Sequence, residues 1–149
     1  AVDQELGYVY YADENFGIRK YHADPAVKGA DQPLAVFGQD GFAEDREGIS
    51  IYATGPGTGY ILVSDQQANA VRVYRREGEP GQPHAHAFVK SVDIAAIESD
   101  GSDVTSVPLG PAFPHGAFVA MSNGRVFHVY AWEDIAGGDL KRGSSAARP

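Results

Sequence analysis

The chain of 149 residues contains no cysteine, one methionine and one tryptophan. Without thiols it can form neither disulfides nor thiolate metal sites, and cysteine usage leaves its compartment open. Long apolar runs are also missing: none approaches the roughly 18 residues of a membrane-spanning helix. Basic residues are scarce, 12 against 20 acids, for a formal net charge of −8. That balance disfavours nucleic acid as a partner. Ala1-Val2-Asp3 shows no initiator Met and no signal-peptide pattern, so the start reads as a processed or excised end.

What the chain does have is glycine, 18 residues, with nine prolines and many aromatic and β-branched residues. This mixture favours a turn-rich, all-β fold. Hydrophobic residues at 43% and charged residues at 21% suit a globular domain with a real core.

A segment of the chain repeats. Gly7-Tyr8-Val9-Tyr10-Tyr11-Ala12-Asp13 returns 52 residues later as Gly59-Tyr60-Ile61-Leu62-Val63-Ser64-Asp65. Ile18-Arg19-Lys20-Tyr21 returns 53 residues later as Val71-Arg72-Val73-Tyr74. A looser third copy runs from Gly116 to Ser122 and from Val126 to Tyr130. A period in the fifties, made only of strand-like segments, points to β-propeller blades of four antiparallel strands. The complete blade should have strands at 49–54, 60–64, 70–76 and 85–92. The apolar run at 60–63 suits a strand buried on both faces.

The third repeat predicts strands at 104–107, 117–121 and 126–132, a short helical turn at 132–136, and no fourth strand. The first predicts strands at 8–12, 17–21 and 34–37, with its innermost strand missing. Residues 1–136 thus read as a partial propeller of about three blades, and 137–149 as a flexible tail. Such an assembly cannot close a ring, and its edges need covering. The missing blades would come from a longer parent chain or from a second copy.

Acids recur at one end of these blades. Glu47-Gly48 precedes the first strand of blade two, and Asp100-Gly101 the first strand of blade three. Asp13-Glu14 follows the second strand of blade one, which ends at the same side. The repeat therefore predicts Glu14, Glu47 and Asp100 around one mouth of the axis. Carboxylates so gathered either rise in pKa or bind a cation. Oxygen-only ligands suit Ca²⁺ better than zinc or copper. The competing reading is solvated loop acids, with each following glycine serving the turn. His84-Ala85-His86 reads as an exposed strand start rather than a metal site. His22, His115 and His128 are isolated, and Gly55 to Gly59 reads as a hairpin turn.

At these motifs the sequence resembles the β-propeller phytases, calcium-dependent enzymes acting on myo-inositol hexakisphosphate (phytate). The matching stretches are Gly7 to Glu14 with Ile18 to Tyr21, Asp45-Arg46-Glu47-Gly48-Ile49-Ser50-Ile51-Tyr52, and Gly59 to Ser64. Ser99-Asp100-Gly101, Pro108 to Gly116 (Pro-Leu-Gly-Pro-Ala-Phe-Pro-His-Gly) and Trp132-Glu133-Asp134-Ile135-Ala136 complete them. The resemblance implies the C-terminal half of a six-bladed ring and export to the periplasm or medium. It implies Ca²⁺ as cofactor, phytate or other inositol phosphates as substrate, and hydrolysis by a metal-activated water. Glu14 and Glu47 match acids of the catalytic calcium cluster, and Asp100 a calcium-binding aspartate. Asp93 falls near a further calcium-ligand position, without the glycine that should follow it. Basic residues that hold substrate phosphates belong to earlier blades, so the resemblance also leaves a non-catalytic calcium-binding or interaction module as the alternative for the isolated chain.

Overall fold

A computed structural model describes residues 1–143. Eleven strands form three antiparallel sheets. Blade one is β1 (Val2–Asp3), β2 (Tyr8–Asp13), β3 (Gly17–His22) and β4 (Ala35–Phe37), paired in that order. Blade two is β5 (Arg46–Gly55), β6 (Thr58–Asp65), β7 (Ala70–Arg75) and β8 (Phe88–Asp93). Blade three is β9 (Ser102–Thr105), β10 (Ala117–Ser122) and β11 (Val126–Ala131), followed by α1 (Trp132–Ala136). Every strand pairs with its neighbour in sequence, which is the meander of a propeller blade. At five residues, α1 is too short to cross a membrane.

The blades stack face to face through β6, whose side chains alternate between two cores. Tyr60 and Leu62 join Tyr52, Val71 and Val73 against Phe118, Ala120, Trp132 and Ile135 of blade three. Ile61 and Val63 join Tyr74 against Tyr10, Ile18 and Phe37 of blade one. The two-sided burial read from the run at 60–63 is therefore observed: Ile61, Leu62 and Val63 have no solvent exposure. The remaining faces, away from blade two, are open. On blade one Tyr11 stacks on Tyr21 with ring centroids 5.9 Å apart. On blade three the matching face carries Phe127, 69% exposed, and Val129, 54% exposed.

The structure corrects several expectations. Blade one has its innermost strand. Val2 and Asp3 pair with Val9 and Tyr8. The sequence repeat does not reveal it because it is only two residues long, and its anchor is remote: buried Asp3 takes a two-point ion pair from buried Arg76, at 2.6 and 2.7 Å. The last strand of blade two starts at Phe88 rather than at 85. His86 is not at an exposed strand start but is buried, its ring 4.7 Å from that of Phe37. The first strand of blade three spans Ser102–Thr105, earlier than 104–107, because Val107 N–H turns back to the Thr105 hydroxyl.

Residues 137–143 are not a loose tail. Leu140 is buried, and the strap is fastened at three points. The Trp132 indole N–H donates to the Lys141 carbonyl at 3.0 Å. The Tyr60 and Tyr52 hydroxyls accept from the N–H groups of Lys141 and Gly143, at 2.9 and 2.8 Å. Small and polar residues hid this, since the contacts come from aromatic hydroxyls about 80 to 90 residues upstream. The rest of the expected tail, 144–149, lies outside the described residues.

Candidate metal site at the blade mouth

One end of the stack gathers the turn after β2, the turn after β6, the turn after β10, and the connections that enter β5 and β9. The antiparallel registers require it. Asp13 pairs with Gly17, Asp65 pairs with both Arg46 and Ala70, and Ser122 pairs with Val126. Glu14, Glu47 and Asp100 all lie at this end, as the repeat requires.

Glu47 owes its position to a bulge. Arg46 pairs with Asp65 and Ile49 with Val63, so β5 carries one residue more than β6 across this step. A bulge of this kind re-aims a side chain at a sheet rim. The Gly48 N–H that results donates to the Ser64 hydroxyl at 2.8 Å. Gly48 has a role other than turn flexibility: a Cβ there would stand 2.6 Å from the Ser102 backbone nitrogen. Only glycine lets β9 of blade three approach so closely, and that approach carries Asp100 toward Glu47.

Both neighbouring connections are pinned. The Gln66 amide donates to the Asp100 carboxylate. Ile97 N–H donates to the Ser122 hydroxyl at 2.9 Å, and Glu98 N–H to the Asn69 side chain at 3.0 Å. Asp45 and Gln67 bond reciprocally, at 2.8 and 2.9 Å. A cavity of about 290 Å³ beside Asp100 is lined by Gln66, Glu98, Ser122, Asn123 and Arg125 as well.

The electrostatics follow from this crowding. Burial holds the half-buried Glu47 carboxyl above its ordinary range, reinforced by the carboxylates of Glu14, Asp100 and Asp45. Carboxylates from all three blades thus act on Glu47. Among the described residues, however, no three acids or histidines stand together closely enough to hold one metal ion. Their oxygen donors match a hard cation in kind, but they form a loose ring and not a closed cage.

Asp93 does not join them. It ends the outermost strand β8, opposite Ala70, and is exposed. Three strand spacings of about 4.8 Å each separate it from the strand of Glu47. The histidines of blade two lie elsewhere as well. His86 Nδ1 faces the Arg75 carbonyl at 2.7 Å and its Nε2 faces the Lys20 ammonium at 3.1 Å. Its two ring nitrogens are thereby engaged inside the protein. Asp45 and Gln66 are neighbours of these acids that the repeat did not single out. Their signal was available in the acid-x-acid-Gly stretch Asp45-Arg46-Glu47-Gly48 and in the position of Gln66 just past Asp65.

Three stacked antiparallel sheets with carboxylates gathered at one end define the class, a β-propeller with its candidate site at the ends of the blades. The phytase family model matches residues 1–138. A 3-phytase of Bacillus subtilis (strain 168) is 31% identical over 150 residues, covering 90% of this chain. The chain therefore belongs to the phytase family. It spans 38% of the length of that relative.

Proposed function

We propose that this chain supplies three blades of a calcium-dependent phytase, which hydrolyses phosphate monoesters of phytate. The observation that carries the proposal is the convergence of Glu14, Glu47 and Asp100, one from each blade, at one end of the stack in a chain of the phytase family. Like charges brought together across two interfaces cost stability unless a cation compensates. Glu14, Glu47 and Asp100 would hold Ca²⁺, with Asp45 and the Gln66 amide beside them. An ion held there would supply positive charge for substrate phosphates and lower the pKa of a water that could attack phosphorus. One of Glu14 and Glu47 would also orient that water. Asp93 would play no part in this cluster.

The substrate would be phytate or another inositol phosphate, and the protein would act after export. The remaining blades of the ring would come from a longer parent chain or a second copy. For the isolated chain the second reading is a calcium-binding or interaction module. It is favoured by the loose spacing of the acids among the described residues. A misplacement of about 1 Å at catalytic groups can cost about 100-fold in rate. Calcium-dependent phosphate release from phytate should be assayed for this chain and for a full-length parent. The parent is expected to be active and the isolated chain at least about 100-fold slower. Inactivity of the parent, with calcium and phytate present, would remove the enzyme reading.

A further inference from the structure

Arg46 is 6% exposed and adjoins Glu47 in the chain, yet among the described residues it pairs with no carboxylate. Its guanidinium spends its donors on four backbone carbonyls instead. Nε donates to Gly38 at 2.7 Å, Nη1 to Glu14 at 2.8 Å and Glu44 at 3.2 Å, and Nη2 to Gln39 at 2.8 Å. The Phe42 ring covers it, 4.6 Å from the guanidinium carbon. Three of these carbonyls belong to the connection that enters blade two. The fourth belongs to Glu14, in a turn of blade one. Arg46 is therefore the link, within one side chain, between the segment that delivers Glu47 and the turn that carries Glu14.

We infer that Arg46 is a positioning residue: it fixes the Glu14 turn against the Glu47 bulge and so sets how well two blades share one cation. A planar fork with five donors can satisfy several carbonyls at fixed angles, which a lysine ammonium with three rotatable donors cannot. Unsatisfied buried carbonyls would relax toward water, and the turn would move with them. Arg72 provides the comparison. It also holds this connection, at the Gly41 carbonyl at 2.6 Å, and also lies over Phe42, but it has no bond to the Glu14 turn.

The test has two arms, and only the second rests on the metal reading above. In the first, amide hydrogen exchange is followed in metal-free R46K and R72K. R46K is expected to speed exchange about tenfold in both 14–17 and 38–47, and R72K in 38–47 alone. An unchanged 14–17 turn in R46K overturns the inference. In the second, Ca²⁺ affinity is measured by calorimetry for wild type, R46K, E14A and the double variant. R46K is expected to weaken binding about tenfold, and to add little once Glu14 is gone, because coupled residues are not additive. Fully additive losses would mean that Arg46 is merely structural. Absence of Ca²⁺ binding in wild type would sink the metal reading while leaving the first arm decisive. Should R46K fail to fold, exchange of the wild-type guanidinium protons decides: Arg46 should exchange far more slowly than exposed Arg125, and equal rates refute the clamp.

Discussion

Glu47 combines a backbone irregularity, a close approach and a charge conflict in one residue. The bulge presents it, Gly48 admits Ser102 beside it, and Glu14, Asp100 and Asp45 raise its carboxyl after burial has done so. A cation that binds only the folded chain stabilises it by mass action, by about 2.7 kcal/mol at 100 times its Kd. Millimolar Ca²⁺ should therefore raise the melting temperature of the chain. Glu47→Ala is expected to remove most of that rise, and Asp139→Ala to leave it intact. Asp139 serves as the control because it is exposed and its charged neighbour is Lys90, 3.5 Å away, not another acid. Equal responses in scanning calorimetry would mean general charge screening rather than a site.

At the scale of the element, the interfaces between blades depend on polar groups as well as on apolar area. Lys20 is fully buried between blades one and two, where blade two has Val73 at the equivalent place. Its ammonium lies 3.8 Å from the Tyr8 ring centre and donates to the Pro83 carbonyl at 3.1 Å. Burial lowers its pKa to about 8. His86 accepts from it, and burial lowers the His86 pKa from 6.5 to about 4. A folded pKa below the unfolded one means that stability is present above pH 6.5 and lost as pH falls toward 4. The full loss corresponds to about 3 kcal/mol by linkage. Melting temperature against pH should fall across this window, and His86→Gln should flatten the fall. A second interface tests the strap. The Tyr52 hydroxyl donates to the His115 carbonyl and accepts from Gly143 N–H, both at 2.8 Å. Tyr52→Phe leaves both backbone groups without that partner and should cost about 2 kcal/mol, read as a lower denaturant midpoint at unchanged slope.

These elements also show what can be read from residues in order. The first three strands of blade two and the two-faced β6 were legible because the apolar run at 60–63 and the 52-residue repeat report local geometry, whereas β8 begins at Phe88 and not at 85. That Glu14, Glu47 and Asp100 lie at one end of the stack was legible because equivalent positions in successive blades converge. The two-residue β1, the strap at 137–143 and the fate of His86 were not, since each depends on a partner 11 to 91 residues away. Asp93, which only the resemblance suggested, stands apart from these acids because it ends the outermost strand β8, opposite Ala70.

At the scale of the molecule, blade two is covered on both faces while blades one and three each show one bare face. Tyr11 with Tyr21 marks the first, and Phe127 with Val129 the second. In a closed ring such faces pack on further blades. Phe127→Ser should change the stability of the isolated chain by no more than about 0.5 kcal/mol, as for an ordinary surface substitution. In a full-length parent the same change should cost several times more, measured by parallel chemical denaturation. Equal small effects in both would leave this face outside the ring. Light scattering on the isolated chain tests whether a second copy covers these faces instead. The meander of consecutive strands has a further consequence, for how the chain reaches this arrangement. No connection within a sheet is longer than twelve residues, so each sheet can form early, whereas the Arg76–Asp3 clasp spans 73 residues and must wait for blades one and two to meet. Folding should therefore run from quick, independent sheets to a slower docking of blade one onto blade two. The clasp would belong to the late side of that barrier, governing how long the assembled blades stay together more than how fast they first form.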